Sequence, residues 1–100
     1  MKVELSEALM RYMEENHAKD IVLEAFQRAC WGGGSSLELG ARFASVDEVE
    51  QYEKENVQAL ESPMGKVYIS SSKIQISEHP RLDLSKFLWM KIISISGIYV

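Results

Sequence analysis

The chain has 100 residues, 46% hydrophobic and 26% charged, with a net charge of −4. That length supports one domain, 1–100, with its own hydrophobic core, and the apolar residues recurring throughout argue against disorder. Asp47, Glu48, Glu50, Glu53 and Glu55, set against Lys54, carry the whole of that −4; no basic stripe is present to offset phosphate charge, so nucleic acid is not an expected partner.

The one cysteine, Cys30, cannot close an intrachain disulfide. Residues 1–16 mix charged and apolar side chains from the start, unlike a signal peptide. The longest mostly apolar run, 87–100, is interrupted by Lys91, Ser94, Ser96 and Gly97 and is too short to span a bilayer. The expected setting is a reducing cytoplasm with a free thiol and no membrane partner.

Residues 2–5 alternate polar and apolar and predict a short strand. Ser6 is placed to N-cap a helix with Glu7 in its first turn, where the helix dipole favours an anion. Leu9 with Met13, and Ala8 with Tyr12, define its apolar face, and Leu5 and Met10 stand where a hydrophobic staple would sit. The helix is predicted to end near Asn16 or His17. Ile21, Val22, Leu23, Ala25 and Phe26 predict a buried or half-buried strand over 20–26. It leads through Cys30 and Trp31 into Gly32, Gly33 and Gly34, where three consecutive glycines stop regular structure. Leu37, Leu39 and Ala41 alternate with Glu38, Gly40 and Arg42, predicting a strand that ends near Phe43 or Ala44.

Ser45-Val46-Asp47-Glu48 is a capping box and predicts a short helix through about Tyr52. A hairpin follows, with a strand over 57–60, a turn at Ser62-Pro63-Met64-Gly65 whose glycine takes the reversed φ, and a strand over 66–70. Ile74 and Ile76 alternate with polar neighbours, while Pro80 argues against a central strand there. Leu82 and Leu84 alternate in turn. The β-branched and aromatic residues of 87–100 favour strand over helix, with Gly97 marking a bulge or bend.

Cys30 is the main chemical candidate. It is predicted at the end of the second strand, at the mouth of a loop whose backbone N–H groups can cradle an anion and lower a thiol's pKa. The alternative is inert packing, the usual role of a free cysteine. The loop matches neither the phosphate-loop nor the dinucleotide pattern. His17, Cys30 and His79 show no metal-ligand spacing. Trp31 and Trp89 read as core or interface residues, the five methionines as gap-fillers, and the acidic stretch 47–55 as a solvated helix face.

The order of elements resembles a known family: strand 3–5, a helix opening at Ser6, strand 20–26, the cysteine–glycine loop, an acidic middle, Lys66-Val67-Tyr68-Ile69, and Leu84-Ser85-Lys86-Phe87-Leu88-Trp89-Met90-Lys91 running into a β-rich end. It is similar to the HesB-like proteins, and most to their CC/Se-motif (seleno)protein branch. The resemblance implies an α+β fold with one N-terminal helix packed on two small mixed β-sheets. In the A-type iron–sulfur carriers among these relatives, three cysteines bind iron or a cluster. Cys30 fits the first position; the C-terminal C-x-C is replaced by Gly97-Ile98-Tyr99-Val100. In the CC/Se branch a second cysteine or selenocysteine follows the first, and Trp31 stands there. The implied metal or cofactor site is therefore Cys30 with Gly32, Gly33 and Gly34, holding iron, sulfide or a redox partner transiently and no stable cluster. The competing expectation is a non-catalytic interaction domain. A homodimer through the apolar C-terminal strands is expected, since Trp89, Met90, Ile92, Ile93, Ile95, Ile98, Tyr99 and Val100 exceed what a small core needs.

Overall fold

The computed structural model describes residues 2–29 and 32–100. Strand β1 (Glu4–Leu5) leads into helix α1 (Glu7–Glu15), then strands β2 (Ile21–Ala29) and β3 (Ser35–Phe43), helix α2 (Val46–Lys54), and strands β4 (Ala59–Glu61), β5 (Lys66–Ile69), β6 (Gln75–Phe87) and β7 (Met90–Tyr99). The strands form two mixed sheets, ordered β1-β6-β7 and β3-β2-β5-β4. Among the described residues the fold is α+β with two helices, which corrects the single N-terminal helix.

Local chemistry starts both helices. The Ser6 hydroxyl accepts from Leu9 N at 3.2 Å, satisfying one free donor of the first turn of α1. At Ser45 both arms of the capping box form: Glu48 N donates to Ser45 Oγ and Ser45 N donates to Glu48 Oε1. Helix α1 ends at Asn16, and His17 then takes a left-handed φ of 53°.

Leu9 and Met13 of α1 are fully buried beside Ile21, Leu23, Val67, Ile69, Leu82 and Ile98 in one hydrophobic cluster. The N-terminal segment ties the sheets together. Val3 N donates to Glu61 O of β4, while Glu4 and Leu5 pair in parallel with Arg81 and Leu82 of β6. Val22 and Tyr68 are register partners and alternate onto the opposite face of the larger sheet. There the Tyr52 ring of α2 lies 5.5 Å from Tyr68. Strand β5 is thus buried on both faces, with Tyr68 as covered as Val67 and Ile69.

Expectations about the second half are corrected at two residues, Pro80 and Gly65. Pro80 is buried in β6, the central strand of its sheet. It is tolerated because β6 and β7 break register between Ile76 and Arg81, so residues 77–80 oppose Gly97 alone and no ladder bond is demanded of Pro80. Gly97 has a φ of +73°, and a Cβ there would meet His79 O at 2.6 Å and Ser77 Oγ at 2.7 Å. The other correction is at Gly65, whose φ is not reversed. It is needed for space, because a Cβ would fall on the Lys19 carbonyl oxygen. Lys66 N meanwhile donates to Asp20 Oδ1 at 2.9 Å. The run 87–100 is not one strand: a two-residue turn, Leu88-Trp89, separates β6 from β7.

Candidate functional site

The site begins with the β2–β3 hairpin. β2 pairs with β5 only over Ile21–Leu23 but with β3 along its whole length, from Ile21↔Phe43 to Ala29↔Ser35. Residues 24–29 and 35–40 therefore form a two-stranded arm beyond the four-stranded part of the sheet. At the usual rise it is about 20 Å long. Burial falls along β2: Leu23 is fully buried, Glu24 and Ala25 are half-buried, and Phe26 and Gln27 are exposed; on β3, Leu37, Glu38, Leu39 and Gly40 stay half-buried, and Ala25 and Leu39 pack on the core. The Phe26 ring lies across Gly40, with its edge 3.0 Å from where a Cβ would stand.

At its base the arm is held by charge. Arg42 of β3 donates through Nε to Glu24 Oε1 at 2.9 Å and through both terminal nitrogens to the Glu48 carboxylate of α2. This fork–fork geometry makes strong charge-assisted bonds. Arg42 first, and Ser45 N second, hold the Glu48 carboxyl down to about 2. Glu53 accepts from Tyr68 Oη at 2.8 Å and from Lys66 Nζ at 3.1 Å, and its carboxyl is lowered in consequence, Tyr68 being the larger cause. Burial, with Glu53 next, pushes the Tyr68 phenol up. Two carboxylates of the acidic stretch thus tie α2 to the sheet, while Asp47, Glu50 and Glu55 face solvent.

At the far end, residues 30–34 join Ala29 to Ser35. Gly32, Gly33 and Gly34 are exposed, have φ of 90–93°, and have nothing within 4 Å of a Cβ position. Their positive φ is one that glycine takes at no steric cost. Cys30 and Trp31 lie outside the described residues, and with them the expected reachability of the thiol.

The histidines are not brought together. Both are exposed. His17 lines a shallow cleft of about 400 Å³ with Asp20, Val46 and Glu50, while His79 lines another of about 500 Å³ with Lys2, Glu61 and Pro63. Among the described residues no three His, Cys, Asp or Glu side chains converge to hold a metal ion. Among them, too, no helix is long and apolar enough to cross a membrane. Trp89 is not a core residue, being 83% exposed at the β6–β7 turn. Met10, Met13 and Met64 pack on the core, whereas Met90 does not.

Compared with known proteins, the chain matches a family model over residues 1–98, and it belongs to the CC/Se motif containing family. No curated protein and no solved structure matches it.

Proposed function

We propose that this is a HesB-like protein whose working group is the Cys30 thiol, binding iron, sulfide or a redox partner transiently at the end of the β2–β3 arm. The observation that carries this reading is the arm itself. A structural hairpin needs neither an extension past its sheet nor three open glycines, and the family is named for a CC/Se motif of which Cys30 would fill the first position. Trp31, in the place of the second cysteine or selenocysteine, leaves one sulfur ligand per chain. Stable clusters use three or four protein ligands, so a single thiolate suits delivery or exchange rather than storage. Binding iron would release the thiol proton, since the thiolate is the metal's ligand; sulfide, already fully reduced, would be held beside it as an anion by backbone N–H groups of the loop, with no S–S bond formed.

A second reading, a non-catalytic interaction domain with Cys30 as packing, draws on the separation of His17 from His79 and the lack of a converging ligand set among the described residues. Anaerobic purification with iron and sulfide analysis distinguishes the two. The thiol reading expects substoichiometric iron or sulfide that desalting removes and that Cys30→Ser lacks from the start. Equal amounts in both proteins would leave the interaction domain standing.

A further inference from the structure

The β6–β7 hairpin ends in Lys86-Phe87-Leu88-Trp89-Met90-Lys91. Leu88 is 68%, Trp89 83%, Met90 52% and Ile92 45% exposed, so these four apolar side chains lie in water. Further along the strand Ile93 and Ile95 pack on the core and Ile98 is buried in it, while Tyr99, 61% exposed, lies at the opposite end from the turn. The turn is held at some strain: Leu88 takes a φ of 56°, a region that bulky residues avoid and Asn or Gly would occupy freely.

Two lysines flank the tip as direct register partners, Lys86↔Lys91. Like charges opposite each other destabilise a strand pair. Among the described residues no carboxylate pairs with either one; Lys91 Nζ sits 4.8 Å over the Tyr12 ring of α1. The lysines are two to three residues from the apex, about 7–10 Å at the strand rise. That is the depth to which interfacial segments bury their apolar part in the headgroup–acyl boundary. Trp favours that boundary, and lysine stems reach back from it to lipid phosphates.

We propose that the Leu88–Met90 tip enters the surface of an anionic lipid bilayer, with Lys86 and Lys91 at the level of the phosphates. The shortness of 87–100 rules out a span by that run, but a tip lying in the interface needs none. An acidic protein surface could meet the two lysines, but it would not account for three apolar side chains projecting ahead of them.

Flotation of the full chain with phosphatidylcholine vesicles, with and without one part in three phosphatidylserine, tests the proposal. The chain should float with the anionic vesicles and stay behind with the neutral ones. Lys86→Gln with Lys91→Gln should weaken partitioning about thirtyfold, at about 1 kcal/mol per lysine, and Trp89→Ser about tenfold. Circular dichroism checks that each variant is folded, and quenching of tryptophan emission by brominated acyl chains should persist in Trp31→Phe, where Trp89 is the one remaining tryptophan, and its absence there overturns the proposal. Failure of the wild-type chain to float with anionic vesicles overturns the proposal, as does equal flotation of the lysine variant. A dimer mass in light scattering that Trp89→Ser converts to monomer also overturns it, by assigning the tip to a second copy.

Discussion

Replacing Gly97 by alanine tests how β6 and β7 fit at their break in register. Three effects act together. A residue with a side chain at a φ of +73° costs roughly 1–2 kcal/mol. The new Cβ would lie 2.6 Å from the His79 carbonyl oxygen, and backbone cannot swing aside as a side-chain end can, so overpacking adds about 1–3 kcal/mol. Alanine also narrows the unfolded ensemble, which offsets about 0.4–1 kcal/mol. The net expectation is a loss of about 2–4 kcal/mol. Gly33→Ala is the control: its φ is +93°, but nothing lies within 4 Å, so only the backbone effect and its offset apply and the loss should be about 1 kcal/mol or less. Urea titrations followed by circular dichroism give both values, with the slope m unchanged. If the two variants lose equal stability, the contact between Gly97 and the 77–80 segment is not as described.

Other outcomes follow from the same structure. Ser45→Ala should cost about 1 kcal/mol through loss of the cap, read as a lower urea midpoint. Glu48 is held near 2 by Arg42, against an ordinary value of 4.5. A folded value below the unfolded one contributes stability that is present above pH 4.5 and lost as pH falls toward 2. Glu48→Gln should therefore flatten the Tm–pH curve in that window, and an unchanged curve would contradict the Arg42–Glu48 pairing. Trp31→Cys should give the chain a second thiol beside Cys30 and a reversible two-electron thiol–disulfide couple that the wild-type chain lacks, measurable by redox titration against glutathione.

Much of the fold was legible because it is locally encoded. Ser6 and Ser45 announce both helices, and the 3.6-residue spacing of Leu9 and Met13 names the buried face of the first. The alternation of Leu37, Leu39 and Ala41, and the Ser62–Gly65 turn, place their strands within a residue or two. What escaped was set by distant partners. Pro80 could be judged a strand-breaker only while the unpaired stretch opposite Gly97 was unknown. The Leu88-Trp89 turn carries no Gly, Asn or Asp to mark it, so an apolar run concealed a reversal. For the candidate site, the three glycines marked where regular structure stops, and Gly32, Gly33 and Gly34 are exposed with positive φ. The length of the β2–β3 arm depends on where β5 stops pairing with β2, a long-range fact. The composition of 87–100 showed an apolar surplus but could not say that the core takes Ile93, Ile95 and Ile98 and leaves Leu88, Trp89 and Met90 outside.

The proposed function turns on whether Cys30 can act while the protein is folded. Reaction of the native chain with a chromogenic disulfide reagent, timed against the same chain in denaturant, is the most direct measurement. One thiol per chain should react in the folded state at a rate within about tenfold of the unfolded rate, as an accessible thiolate-forming group does. A thiol that stays silent until the protein is denatured would contradict it.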